Sequence, residues 1–463
     1  MHWLRSILPL ILALLPPALE AQLQPPSTGG YAALDHELRM LGHRKRVLMI
    51  AAHPDDEDTE LLTVLVRGMG AEVAYLSLNR GEGGQNLIGD ELGEALGLLR
   101  TEELLAARRL DGGGQFFTRA YDFGFSKTVD DTWAHWPRDS VLKDVVRIVR
   151  RYRPQIVVSI FSGTPRDGHG QHQAAGWAAR EAFRVASDSS VFPELFSEEG
   201  LSPFLPDKLY QSARFDSAAT TLRLDGGVLD PAEGQSYHQM AMRGRSLHRS
   251  QDMGQLQRIG PSEVRLHLVE DRTGRGADAL WSGLDTTLAA WPLVATLRSE
   301  ARRGVTAQLE RYMARVDSAR ALVSAPVRSR LVDLLSRASQ DLAAARRQLG
   351  DGLPGSALSQ ARTERTSDGA LFDSELHHLA TARVLSLDLI ADGQSADARV
   401  TPGQTVGISA QLWNAGERST PVTLCVDPSR FTWRQVLDSS ARADLRGRSG
   451  SDVCLESGPV SGG

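Results

Sequence analysis

One imidazole and three carboxylates stand within five residues of each other in Ala51-Ala52-His53-Pro54-Asp55-Asp56-Glu57, directly after the apolar run Arg46-Val47-Leu48-Met49-Ile50. Imidazole nitrogen and carboxylate oxygen are ligands for zinc and for other divalent metals. Pro54 fixes the turn, so the adjacent Asp55 and Asp56 leave the backbone in different directions. One can join His53 on a metal while the other faces a substrate. A second group, Asp167-Gly168-His169-Gly170-Gln171-His172, follows another apolar run, Gln155-Ile156-Val157-Val158-Ser159-Ile160. Two histidines and two aspartates on two strand ends make a suitable donor set for zinc.

The elements that must bring these groups together are legible as an alternation. Strands are expected at 46–52, 71–78 and 155–160, with helices at 58–69, 94–110 and 139–152 and a short leading helix from Tyr31 to Met40. Strand and helix in turn imply βαβ units: an α/β, Rossmann-like, mostly parallel sheet with helices on both faces. In such sheets ligands bind beyond the carboxyl ends of the strands, which is where both polar groups fall. The glycine-rich stretch Gly81 to Gly93 forms part of the rim, and Gly112 to Gly114 read as a helix cap and turn rather than a phosphate cradle. Thr221-Leu222-Arg223-Leu224 reads as a further strand. From residue 300 the pattern becomes helical, with apolar stripes at Leu309, Met313, Val316 and Val323, then at Leu331, Leu335, Ala338, Leu342 and Leu349. His377-His378 lies on a helix without a carboxylate at ligand spacing and reads as solvated surface. Beyond Val400, alternation at Val406, Ile408, Ala410 and Leu412 reads as the start of a partial β-sandwich. Too few strands follow to complete one, so a truncated form of a longer protein is expected.

The motifs together resemble one family. His-Pro-Asp-Asp-Glu after the first strand and His-x-x-His about a hundred residues later are similar to the PIG-L/LmbE family of zinc-dependent N-acetyl-sugar deacetylases. Asn79-Arg80-Gly81-Glu82-Gly83-Gly84, Arg100-Thr101-Glu102-Glu103-Leu104 and His248-Arg249-Ser250-Gln251 resemble the same family in the same order. The resemblance implies His53, Asp56 and His172 as zinc ligands, with Asp55 as general base on a water. His169 would stabilise the oxyanion or donate a proton to the leaving amine, and Arg80 would contact the substrate, an N-acetylated sugar or glycan. Iron(II) or another divalent metal fits the same ligands. Many members carry His-Pro-Asp-His where this chain has His169-Gly170-Gln171-His172. Gln171 offers no carboxylate to orient an imidazole, and Asp167 is the available substitute.

Composition bounds the rest. The 463 residues, 41% hydrophobic and 24% charged, suffice for two or three domains. A net charge of −5 carries no basic excess, so no nucleic-acid partner is implied. No pattern sets an oligomeric state. Met1 to Ala21, with one positive charge, an apolar run from Ser6 to Leu15 and a terminal small residue, reads as a secretory signal peptide too short to span a bilayer, so an exported mature protein without a transmembrane segment is expected. The resulting division is 1–21 signal peptide, 22–295 deacetylase-like domain, 296–392 helical module and 393–463 partial sandwich. Cys425 and Cys454, the only two cysteines, both fall in the last segment, where a disulfide and two free thiols are both compatible with the sequence.

Two alternatives share this sequence pattern: a zinc hydrolase of another amide or ester, and a carbohydrate-binding protein without catalysis. A dinucleotide-binding oxidoreductase is excluded, because the first turn is His53-Pro54-Asp55-Asp56 and not a glycine fingerprint.

Overall fold

The structure is a computed structural model. It describes residues 30–214, 216–276, 278–324, 328–352 and 368–395, with short pieces between 404 and 456. A seven-stranded sheet runs in the order β3-β2-β1-β4-β5-β7-β6. Its strands are β1 (Arg46–Ala51), β2 (Glu72–Ser77), β3 (Gly114–Phe117), β4 (Ile156–Ser159), β5 (Lys208–Ser212), β6 (Leu222–Asp225) and β7 (Glu263–Asp271). The first five are parallel, while β7 is antiparallel to both β5 and β6. Every residue of β1 and β4 is buried. A strand covered on both faces has no solvent side to alternate with, which is why these two read as continuous apolar runs.

The covering helices are α1 (Gly30–Met40), α2 (Thr59–Thr63, continued by a π turn at Val64–Gly68), α3 (Glu94–Asp111), α4 (Val129–His135), α5 (Arg138–Tyr152), α6 (Gly170–Val185) and α7 (Tyr237–Arg245). Helix α5 packs against α6, and α2 packs against α3 and α7. Strand order reverses at β1, and right-handed crossovers then put the helices of the two halves on opposite faces. The expected fold class is the observed one. Helix α5 shows how the sequence makes such an element: Val141, Leu142, Val145, Val146, Ile148 and Val149 form its buried face. It ends at Arg153, which takes the left-handed conformation (φ 54°), ahead of Pro154, which cannot continue a helix.

Five elements lie outside the expected set: β3, α4, β5, α7 and β7. Gly112 does cap α3 with φ 81°, as expected, but Gly114 opens β3 instead of a turn. That strand exists through pairing with β2, Ala74 opposite Gly114, which is a tertiary effect and not a propensity.

Helices α8 (Ser299–Arg320), α9 (Ser329–Gly352) and α10 (Asp368–Ser386) follow. The expected stripes meet in a second core, with Tyr312 fully buried and Met313 packed at its edge. This core also takes in Leu34, Leu38 and Leu41 from the first helical segment, and Trp291. His378 is corrected: it is half-buried and pairs with Glu37 at 2.7 Å, the carboxylate coming from α1 rather than from its own helix. Strand β8 (Leu389–Ser395) pairs antiparallel with β9 (Ile408–Asn414), and a further ladder sets Cys425 opposite Cys454. The side chains of both cysteines, and residues 1–29 with the proposed signal peptide, lie outside the described residues. Among the described residues no helix is long and apolar enough to cross a membrane.

Candidate active site

Both histidine motifs emerge at the β1/β4 switch point, where the strand order reverses. The turn after β1 is closed on itself: His53 N donates to Asp56 Oδ2 at 2.7 Å, and Asp56 N donates to His53 O at 3.3 Å. Asp58 accepts from Leu61 N at 2.9 Å and so caps α2. The ordinary role of an acidic residue at a helix start therefore belongs to Asp58, which leaves Asp55 and Asp56 free of it. After β4, the Asp167 carboxylate accepts from the backbone N–H groups of Ser162, Gly163 and Thr164 and shapes the loop that delivers α6. Gly176 on α6 allows that loop to lie against the helix, since a Cβ there would collide with Gly163 N.

His53, Asp56 and His172 converge. His53 Nδ1 lies 3.0 Å from Asp56 Oδ2, and His172 Nε2 lies 3.2 Å from His53 Nδ1 and 3.4 Å from Asp56 Oδ1. One ligand atom from each falls within 4.8 Å of the others, the arrangement a metal ion needs. Two imidazoles and one carboxylate form the three-ligand set that leaves a position open for water or substrate. Burial would lower the His53 pKa, but the charge and hydrogen bond of Asp56 outweigh it and raise it to about 9. Burial would raise Asp56, and His53 and His172 bring it down to about 2. An anionic oxygen between two basic nitrogens is a site made for a cation.

The ligands are held from behind. His53 Nε2 lies 3.0 Å from Gln171 Oε1, and His172 Nδ1 lies 3.3 Å from the backbone oxygen of Asp167. Asp167 orients an imidazole as expected, but not through its carboxylate. Gln171 holds an imidazole through its amide oxygen, and Asp167 does so through its backbone while its carboxylate is used in the turn.

Asp55 and His169 flank the three. Burial first, and then the charge of Asp56, push the Asp55 carboxyl up to about 6. His169 caps α6 and stacks on His53 with ring centroids 5.2 Å apart. Burial, with the neighbouring His53 and His172, depresses its pKa to about 4. All five polar residues expected at the site are therefore together. Arg80 lies to one side: its guanidinium donates to Thr101 at 3.1 Å and sits 4.0 Å above the Phe117 ring.

The remaining motifs brace the turn. Glu57, fully buried, accepts from His248 Nε2 at 2.8 Å and faces Arg108 at 3.4 Å, which also pairs with Asp111. Burial would raise the Glu57 carboxyl, but His248 and Arg108 hold it well below the usual range. Ser250 N and Oγ donate to Glu103, and Gln251 Nε2 donates to Pro54 O at 3.4 Å. Arg100 donates to Gln85 O at 2.6 Å and fills the hollow under the glycine-rich loop, where a Cβ on Gly81 would approach Arg100 Nη1 to 2.6 Å.

Residues 48–183 match the family described as PIG-L: GlcNAc-PI de-N-acetylase. They are similar to a PIG-L domain. The chain is 31% identical over 165 residues to a 1D-myo-inositol 2-acetamido-2-deoxy-alpha-D-glucopyranoside deacetylase of Saccharopolyspora erythraea, covering 32% of this chain and 60% of that protein. It is 33% identical over 144 residues to a diacetylchitobiose deacetylase of Thermococcus kodakarensis, covering 31% and 50%. Among solved structures it is similar to the N,N'-diacetylchitobiose deacetylase of Pyrococcus horikoshii, with TM-score 0.36, 20% identity and coverage of 45% and 70%. The chain thus spans between half and about 60% of the length of these two curated relatives.

Within residues 48–183, sequence reasoning missed Asp122, whose carboxylate accepts from Gln171 Nε2 at 3.0 Å. It lies in the loop between β3 and α4, where no periodicity marks an acidic residue as different from any other.

Proposed function

We propose that this protein is an exported, zinc-dependent deacetylase that hydrolyses the N-acetyl amide of an amino sugar or glycoconjugate, releasing acetate and a free amine. The convergence of His53, Asp56 and His172, flanked by Asp55 and His169, is the observation that supports it most. Zinc held by those three residues supplies Lewis-acid chemistry, lowering the pKa of a water from 15.7 to about 7. Asp55 then accepts the proton of the attacking water. Its raised pKa makes it a better base than an ordinary aspartate while leaving it mostly ionised at neutral pH. His169, with a pKa near 4, is neutral at pH 7 and acts as a hydrogen-bond donor to the developing oxyanion rather than as the proton source for the amine. The turn between His53 and Asp56 holds the base together with two of the three ligands.

The sugar substrate is inferred from the names of the relatives, which are deacetylases of an acetamido-glucopyranoside and of diacetylchitobiose. Export is inferred from the pattern of residues 1–21. The division at 22–295, 296–392 and 393–463 is likewise our reading of the changes in pattern along the chain.

The deciding measurement is metal content together with acetate release from N-acetylglucosamine and chitooligosaccharides, for the unmutated protein and Asp55→Ala. About one zinc in both, with acetate from the unmutated protein alone, is expected. Zinc without acetate from either sends the search to another amide or ester. Absence of metal after reconstitution overturns the enzyme reading.

A further inference from the structure

When a metal takes one nitrogen of His53, the imidazole keeps its proton on the other, and the buried amides behind it decide which. The backbone N–H of Gly81 can only donate, and it lies 2.9 Å from Asn79 Oδ1. The other end of that amide, Asn79 Nδ2, is therefore the donor 2.7 Å from Gln171 Oε1. Gln171 Nε2 in turn meets two acceptors, Asp122 Oδ1 at 3.0 Å and Gly124 O at 2.9 Å. Turning the Gln171 amide over would set N–H against N–H on one side and oxygen against oxygen on the other. Because Gln171 has no exposed surface, no water is at hand to relieve either clash. Its oxygen thus faces His53 Nε2, 3.0 Å away, and that nitrogen must donate. The lone pair of Nδ1 is left pointing toward Asp56 and His172.

We propose that Gln171 is a positioning residue that fixes His53 as an Nδ1 metal ligand, and that Asn79 and Asp122 hold it in the one orientation that does so. The same geometry explains the amide at this position. A carboxylate at residue 171 would put two anions at hydrogen-bond distance with Asp122, so the charge stands one residue further from the metal. An outer partner of this kind typically changes metal affinity by about 10- to 100-fold when removed.

The inference rests on the metal reading and not on the choice of substrate, so it is tested without turnover. In the zinc-loaded protein, nitrogen NMR of labelled histidine is expected to show His53 with a proton on Nε2 and the metal on Nδ1. Zinc affinity, measured by competition with a chromophoric chelator, is expected to fall by about 10- to 100-fold in Gln171→Leu and in Gln171→Glu. In the folded Gln171→Leu protein the His53 nitrogen signals are expected to lose this single assignment, a change that a merely structural role for Gln171 would not give. Coordination through Nε2 in the unmutated protein, or a folded Gln171→Leu protein that binds zinc as tightly with unchanged His53 signals, overturns the proposal. An unmutated protein that takes up no zinc overturns it together with the metal reading, whereas absence of acetate release alone leaves it standing.

Discussion

Glu57 Oε1 and His248 Nε2 stand 2.8 Å apart with neither side chain exposed, although 191 residues separate them in the chain. This contact ties the end of the metal-bearing turn to the segment after α7. His248→Ala would remove the nearest partner of the buried Glu57 carboxylate, and removing one partner of a buried charge pair costs about 3–5 kcal/mol. Urea unfolding should show a loss of that size. A loss below about 1 kcal/mol would mean that the pair is not a structural tie.

Asp55→Asn should keep its metal while kcat falls by about 10²- to 10⁴-fold, the range for a lost general base. The unmutated enzyme should also lose kcat/KM as pH falls, because a base must be ionised to act. With the carboxyl near 6 before the charge of a metal lowers it, the acid limb should lie at or below about 6. A rate–pH profile flat down to pH 4 would remove Asp55 from that role.

Chelation should abolish activity and lower Tm, with recovery of both on adding zinc. A ligand present at 100 times its Kd stabilises the folded state by about 2.7 kcal/mol. Differential scanning calorimetry with and without chelator measures the shift, and an unchanged Tm would argue against a metal bound in the fold.

Glu375 joins α10 to the first helical segment, accepting from Gly42 N at 2.6 Å and from the Tyr312 hydroxyl. Burial pushes its carboxyl up to about 7 in spite of those donors. The folded state therefore holds a proton that the unfolded chain, at an ordinary 4.5, releases. The stability contribution is full below pH 4.5 and is lost as pH rises from there to about 7, by up to about 3 kcal/mol. Glu375→Gln should match the unmutated protein near pH 4.5 and exceed it at pH 8. Denaturation curves at the two pH values decide this, and parallel pH dependence in the two proteins would refute it.

Much of the site was legible because its ligands are local. His53, Asp55 and Asp56 share one turn, His169 and His172 share another, and each turn follows a strand whose burial on both faces prints an unbroken apolar run. Strands β5 and β7 escaped notice for the opposite reason. Lys208 and Gln211 lie within β5, and β7 carries Glu263, Arg265, His267 and Glu270. Lys208 donates to Gly276 O, Gln211 Oε1 accepts from Arg180 of α6 and His267 meets Ala219 O, partners that pattern alone does not reveal.

The sequence by itself determined the donor types, their grouping in two turns and the parallel α/β frame, because these follow from short-range pattern. Only the tertiary structure decided which nitrogen of His53 faces the metal, because that depends on Gln171 at the start of α6 and on Asn79 and Asp122 in the loops after β2 and β3. It also decided that Glu57 is a brace and not a ligand. A buried carboxylate takes its role from the charge that meets it, and here that charge arrives from His248 and Arg108, far along the chain.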